Sequence, residues 1–570
     1  MARIKSKRSA LQTLSCEFGG MGKHTPLSAK GADDMCNFRI LPNGVLKVRH
    51  GYTRIKNFPS DKKIRGVWEG VLDDISLFFS VVGDTVYHLV GEEMNEIALG
   101  TITDGEDPVH FCVYENSLYL LDGVKIWIYS PTSSKFTEVE PYVPLYGFQW
   151  HPEAYGEINE EINLISPRLR VHYYNSTDTN VFRLPFFAES LDAVYINGRK
   201  TTDYVFSKGS LQVIFPSSPI TVEIGFTLAR DEELRATVLA AQMSYIYAHN
   251  GENKLFLWGR DGRLFCSRKV TSPMMSSCHV FYPKASSLYF CMDDVFFLGD
   301  SLHPITTICP LYETLLVFTS DRIWNLCFDK DGILQATLAR HDMGCSSPHG
   351  AIPYESGALV AINGGIFHLT ASSARTEDLF FERVSTGIDE KFPVGFTDRV
   401  HLVRNFFEGE ILMRDPTDTA GNVWVWNTEN KEWYRFKGID ATFFLKGFGK
   451  LGFVSGSDIF FFDRNESTDN GAPIDAYYKS TYLDLGTPDS VKRAMRALLY
   501  ASPSKSSCQM QFETEQGQIS YRLATPSRAK TPQLHDMRMN THRYRFLRFT
   551  LSTAASHPTE FYRLDIYSQP

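Results

Sequence analysis

Leu77 to Val90 reads LFFSVVGDTVYHLV. Two runs of β-branched and aromatic residues flank Gly83-Asp84, a short connection that accepts positive φ, so the stretch reads as a β-hairpin. The same form recurs as LYLLDGVKIWIYS from Leu118, YIYAHNGENKLFLWG from Tyr245, YFCMDDVFFLG from Tyr289 and LLVFTSDRIWNLCF from Leu315. It continues as ALVAINGGIFHLT from Ala358, ILMRDPTDTAGNVWVWN from Ile411 and LGFVSGSDIFFFD from Leu451. Several neighbouring hairpins start roughly 40 residues apart, the length of one four-stranded propeller blade. The expected fold is therefore all-β, a β-propeller in which each hairpin is the inner or middle pair of a blade.

The step from Leu118 to Tyr245 is too long for this spacing. Residues 145–232 carry their own strand runs, among them LRVHYYN, NVFRLPF, LDAVYINGRKTTDYVF, LQVIFP and ITVEIGFTL. They read as a small β-sandwich-like domain inserted at a loop, where extra chain costs little. After Phe462 the polar stretch DRNESTDNGAP marks a boundary, followed by YYKSTYLDLG, RALLYAS, CQMQFETEQG, QISYRLA, YRFLRFTLS and FYRLDIYS. The expected organisation is an N-terminal arm over 1–40, propeller over 41–144 and 233–465, the insertion over 145–232, and a C-terminal β domain over 466–570. Helical periodicity is scarce: Asp231 to Met243, with Leu234, Val238, Leu239 and Gln242 on one stripe, predicts a helix, and Asp489 to Leu499 a weaker second.

A chain of 570 residues exceeds one ordinary core, and three or four structural units are expected. Its 41 Phe, 27 Tyr and 8 Trp suit pleated surfaces. A formal charge of −8 argues against tight gripping of nucleic acid through phosphate neutralisation, while leaving room for a weak or sliding contact. Two basic segments, Arg3, Lys5, Lys7 and Arg8, and Arg528, Lys530, Arg538, Arg543, Arg545 and Arg548, read as solvated faces. The ten cysteines, at 16, 36, 112, 266, 278, 291, 309, 327, 345 and 508, include no CxxC pair. They are expected reduced and metal-free, as small buried hydrophobes. SALQTLSCEFGG lacks the apolar run of a signal peptide and no stretch approaches a membrane-spanning length, so synthesis in the cytoplasm is expected.

No motif commits the chain to catalysis. GGMGKHT, from Gly19 to Thr25, departs from a phosphate-binding loop at Glu17 and His24. DKDG, Asp329 to Gly332, lacks the later carboxylate of a calcium loop and reads as a turn. Ser467, Asp469 and Gly471 start an Asp-box that fails at Pro473 and Ile474, and read as linker. Gly364-Gly365 with Trp424, Trp426 and Trp433 has a kelch-like flavour that supports blades without naming a function. GxSxG and HExxH are absent. Glu157, Glu160 and Glu161, and the pair His341-Asp342, read as solvated charges. No catalytic, cofactor-binding or metal-binding residue is assigned, and no cofactor is expected.

Three segments together resemble one family. These are LSAKGADDMCNFRILPNGVLKVRHGYTRI from Leu27, the insertion from EINEEINLISPRLRVHYY through FRLPFFAESLDAVYINGRK, and YYKSTYLDLGTPDSVKRAMRALLY from Tyr477. In order, they are similar to bacteriophage tail nozzle proteins of the tail tubular protein B type. That resemblance implies a non-enzymatic virion protein assembled in the host cytoplasm. It implies a homo-oligomeric ring, usually of six copies, below the head-tail adaptor proteins and beside tail fibre or needle proteins. Double-stranded DNA would pass through its lumen without sequence recognition, and an acidic lumen that repels phosphate suits sliding.

The rival readings are a propeller-type glycosidase or lyase of a tailspike, which needs an inward carboxylate constellation, and a receptor-binding protein. If the propeller is closed within one chain, contacts between copies fall to the insertion and the C-terminal domain. In YRFLRF, Tyr544, Phe546 and Leu547 or Phe549 are expected to face a core, and Arg543, Arg545 and Arg548 a partner or solvent. Removing the residues after about 470 is expected to leave a soluble propeller.

Overall fold

A computed structural model describes the chain except residues 1–11, 23–29, 60, 151, 153–159, 229–232, 250, 269–287, 331, 372–378, 393–394, 485–488, 503–506, 524–531, 540, 542 and 570. It divides into two compact units, Met1–Ile64 with Thr306–Asn325 and Leu338–Pro570, and Arg65–Ile305 with Leu326–Thr337. The fold is all-β, a β-propeller with an inserted β domain and a C-terminal β domain, and its repeating element is a four-stranded antiparallel meander.

Three meanders fall in the second unit. They are Ile64–Leu72, Ile75–Val82, Thr85–Val90 and Asn95–Thr101; His110–Tyr114, Ser117–Leu121, Ile126–Ser130 and Lys135–Glu138; and Met243–His249, Glu252–Trp258, Arg263–Ser267 and Phe290–Phe297. A fourth sheet holds Ile305–Leu311, Thr314–Thr319, Ile323–Phe328 and Leu334–Arg340. The first unit adds Ala351–Tyr354, Gly357–Ile362, Gly365–Ala371 and Leu379–Arg383, then His401–Asn405, Glu410–Arg414, Val423–Asn427 and Trp433–Phe436. The last meander has only Phe443–Gly447, Lys450–Ser455 and Asp458–Phe462 of its own; Tyr52–Asn57, from the start of the chain, pairs antiparallel with Asp458–Phe462 as its fourth strand. Such an exchange completes the last blade with a strand from the start of the chain.

Turn chemistry fixes the registers. Ile362 pairs with Gly365, leaving Asn363 (φ 44°) and Gly364 (φ 76°) as the two-residue loop, the double positive φ of a type I′ turn. At the first hairpin Val82 pairs with Thr85 and Gly83 takes φ 60°. YFCMDDVFFLG is not a hairpin: Phe290–Phe297 is one strand at the edge of its sheet, with its register shifted between Phe290, opposite Ser267, and Val295, opposite Phe265. Asp293-Asp294 fall in this irregular part without reversing the chain, and the Asp294 carboxylate accepts a hydrogen bond from Arg268 Nε at 2.9 Å.

The insertion forms its own sheet, in the order Leu145–Trp150, Arg168–Tyr174, Thr221–Leu228, Ala188–Ile196, Arg199–Lys200, with a ribbon of Val181–Arg183 and Gln212–Ile214. Leu169, Val171, Val222, Ile224 and Phe226 of the sheet share a core with Phe182 and Val213 of the ribbon. The buried Arg170 pairs with Glu223 at 3.2 Å inside this domain. The helix expected at 231–243 is Glu233–Leu239; its Val238 is fully buried and Leu234 and Leu239 pack on the adjacent cluster.

The C-terminal domain is two sheets sharing one core. One runs Lys30–Cys36, Ala472–Ser480, Leu547–Ala555, Ser507–Thr514, Gly517–Leu523. The other runs Gln533–Arg538, Arg493–Ala501, Glu560–Gln569, the last flanked by both Gln12–Met21 and Leu46–Val48. Phe18 lies edge-on to Tyr478 at 5.3 Å and Phe549 at 6.5 Å, all three buried. Each such ring is worth roughly 1.5–3 kcal/mol of burial.

Two boundaries and one element change as a result. Gln12–Met21, Lys30–Cys36 and Phe38–Ile40 are not parts of an arm but strands of the C-terminal sheets, where Cys16, Phe18 and Met21 bury into the core. Leu46–Val48 belongs there as well, so blade strands begin at Tyr52. The weaker helix expected at Asp489 to Leu499 is the strand Arg493–Ala501: paired on both sides, it gains two ladders and buries Ala494, Ala497 and Leu499, which overrides the helix propensity of Ala, Arg and Met.

Candidate functional site

The most developed polar constellation lies in the first unit, where the early strands meet the last two meanders. Asn37, between two short strands at φ 57°, is its hub. Its side-chain oxygen accepts from Arg49 Nε at 2.9 Å and from the Lys437 amide at 2.8 Å, while its Nδ2 donates to the Asp475 carbonyl at 2.7 Å. Arg49, fully buried, grips both oxygens of Asp469 and donates to the Lys437 carbonyl. Arg39 reaches Glu410 at 3.0 Å and Glu408 at 2.8 Å, and the Tyr434 hydroxyl donates to Glu410 at 2.5 Å. Both guanidinium groups lie over the Phe436 ring, at 5.5 and 5.6 Å.

Burial dominates the electrostatics. It pushes the Glu410 carboxyl up to about 7 against the opposing pull of Arg39. It also raises Asp469, although Arg49 partly offsets the shift. His50 is held at about 4 by burial and then by Arg39. Every charged member has an opposite or hydrogen-bonding partner, so the constellation behaves as a structural lock.

The residues weighed in the sequence fall elsewhere. Gly19 and Gly20 sit in the strand Gln12–Met21, and Lys23 to Thr25 lie outside the described residues. Asp329 closes a hairpin turn, accepting from the Ile333 amide at 2.9 Å and from Gln335. Asp469 is no linker residue but the partner of Arg49. Glu160 and Glu161 are not simply solvated: Glu160 accepts from the Tyr142 hydroxyl and the Leu145 amide, and Glu161 pairs with Arg268 at 2.8 Å. Glu157 lies outside the described residues, and His341 and Asp342 are exposed. Trp424, Trp426 and Trp433 are buried; Trp426 and Trp433 face each other across the sheet.

In YRFLRF, Tyr544, Leu547 and Phe549 are buried and Phe546 half-buried. Arg543 and Arg545 are exposed, whereas Arg548 makes a paired contact with Glu513 at 2.8 and 2.9 Å. Arg3, Lys5, Lys7, Arg8, Arg528 and Lys530 lie outside the described residues. Among the described residues, no group of three or more His, Cys, Asp or Glu is arranged to hold a metal ion. Nine cysteines are described, all unpaired thiols and eight of them buried; Cys278 lies outside the described residues. No helix among the described residues is long and apolar enough to cross a membrane.

Apolar side chains stand in water on the blades, among them Ile75, Phe297, Phe380 and Phe406, and on the non-propeller parts as well. The insertion exposes Tyr174, Phe187, Val205 and Ile220, and the C-terminal domain Tyr482, Val491, Met495 and Leu534. Sequence reading missed Arg39, Arg49, Glu408 and Glu410, whose charges gave no hint of burial.

The sequence matches no protein-family model and no curated protein sequence. Among solved structures, the AfRom2 CNH domain aligns with 72% of this chain and 99% of its own, at 8% identity and a TM-score of 0.37. The Myceliophteria thermophila Cps50 (Swd1) β-propeller domain aligns over 72% of this chain and 99% of its own, at 10% identity and a TM-score of 0.31. Likeness at this level carries no functional weight, and the propeller assignment stands on the strand pairing.

Proposed function

We propose that the chain is a non-enzymatic structural component of a bacteriophage tail, a nozzle-type subunit that assembles into a ring forming part of the DNA ejection conduit. The observation that carries the reading is the apolar surface exposed on the inserted domain, where Tyr174, Phe187, Val205 and Ile220 face water. Large apolar side chains standing in water on a separate domain are suited to contact with another copy. The segments that resemble nozzle proteins support it, as does the net charge of −8, which suits a conduit that DNA slides through. The lock of Arg39, Arg49, Glu410 and Asp469 suits a load-bearing part, because it ties strands from the start of the chain to the last blades. By resemblance the ring has six subunits, with adaptor and fibre or needle proteins as neighbours.

Native mass spectrometry of the purified protein tests this. A closed oligomer, near six times 64.7 kDa, is expected. A monomer that cleaves polysaccharide would replace this reading with the tailspike enzyme.

A further inference from the structure

We infer that the hairpin tip between His401–Asn405 and Glu410–Arg414 docks onto the acidic turn at Glu92-Glu93, ahead of the edge strand Asn95–Thr101, of a second copy of this chain. The inference rests on the ring reading above and adds a propeller surface to the interfaces proposed there.

The tip reads NFFEGE, Asn405 to Glu410, and places two phenylalanines where a turn ordinarily carries polar residues. Phe406 is 62% exposed and Phe407 58%. Phe448, at the tip of the next hairpin, is exposed as well and touches Phe461. Two cations flank Phe406, Arg404 at 4.6 Å and Lys446 at 4.8 Å from the ring centre. Neighbouring cations are neutralised, Arg464 by Glu408 at 2.8 Å and Lys450 by Asp463 at 2.6 Å. Arg404 and Lys446 meet no carboxylate among the described residues. Burial and then the adjacent Arg404 charge lower the Lys446 pKa, so a nearby anion would relieve the pair. Exposed aromatic rings beside an arginine are the composition of interface hot spots.

The complementary surface is on the same sequence. Asn95–Thr101 is the outermost strand of its sheet, and the turn before it carries exposed Glu92 and Glu93 between exposed Val90 and Ile97. This pairs two aliphatic side chains with two carboxylates that meet no cation among the described residues. Phenylalanines framed by unpaired cations fit aliphatics framed by unpaired carboxylates, and the chain's acidic balance favours a second copy over a nucleic acid. The two patches differ, so the contact is head to tail, the kind that builds rings.

The experiment measures self-association of the full chain by analytical ultracentrifugation. R404E/K446E and E92K/E93K are each expected to weaken association at least tenfold, and F406S/F407S to do the same without a charge change. The quadruple variant, and an equimolar mixture of the two charge variants, are expected to restore it. High salt should weaken the wild type. Wild-type assembly with full association of R404E/K446E overturns this inference and leaves the ring reading standing. Weakening without rescue by E92K/E93K also overturns it, as does loss of DNA retention as the only effect of R404E/K446E. A wild type monomeric at every concentration overturns both.

Discussion

Arg49 and Asp469 face each other in parallel, Nη1 to Oδ1 at 2.8 Å and Nη2 to Oδ2 at 2.5 Å, across 420 residues of chain. The Arg49 side chain is entirely buried and that of Asp469 is 13% exposed. Removing one partner strands the other charge in the interior. Asp469→Asn and Arg49→Met are each expected to cost about 3–5 kcal/mol, and the double variant less than their sum. Urea denaturation of the three variants checks this; additive losses would mean the pair is not coupled.

The aromatic core of the C-terminal sheets gives a second expectation. Phe18 is fully buried between Tyr478 and Phe549. Phe18→Ala should destabilise by about 3–5 kcal/mol through lost burial and a cavity. Since Phe18 lies far outside residues 466–570, a near-neutral result in a thermal melt would show that the N-terminal strand is not part of that core.

The same interleaving changes the outcome of the deletion expected from sequence to leave a soluble propeller. Cutting after about residue 470 removes Ala472–Ser480 and Glu560–Gln569, the partners of Lys30–Cys36 and Gln12–Met21, and bares Phe18, Phe38 and Leu46. The truncated chain should aggregate. A soluble, cooperatively melting truncation in light scattering and calorimetry would contradict the strand assignment.

Glu410 makes the lock sensitive to pH. Its folded pKa, near 7, lies above the ordinary carboxylate value, so folding favours its protonated form. The stability from this group is fully present below about pH 4.5 and is lost as pH rises through about 7, by on the order of 3 kcal/mol. Glu410→Gln cannot titrate. The stability of the wild type minus that of the variant should therefore fall between pH 5 and 8, measured by chemical denaturation; a difference that stays flat or rises would contradict the burial of Glu410.

The repeating part of this fold was readable because hairpins depend on local chemistry: the positive φ of Asn363-Gly364 and the β-favouring runs beside it lie within a few residues. YFCMDDVFFLG misled because an Asp-Asp pair carries turn propensity, whereas here it makes only a register shift within one strand, and its Arg268 contact comes from just past the neighbouring strand. The 12–48 segment misled for a similar reason. Gln12–Met21, Lys30–Cys36 and Leu46–Val48 pair with strands more than 400 residues away, and no local pattern distinguishes a strand awaiting such a partner from an arm or a blade strand. The lock at Arg39, Arg49, Glu410 and Asp469 was invisible for the same cause. Phe406-Phe407 is legible in NFFEGE as an apolar pair, but within an expected blade such a pair is indistinguishable from strand residues that face the core.

The most direct test of the account is a single-particle cryo-EM reconstruction of the purified full-length protein. The account predicts a closed ring of identical subunits around a continuous lumen wide enough for a DNA duplex, with the inserted domain among the contacts between copies. Isolated monomers at high protein concentration, or a closed dimer with no lumen, would contradict it.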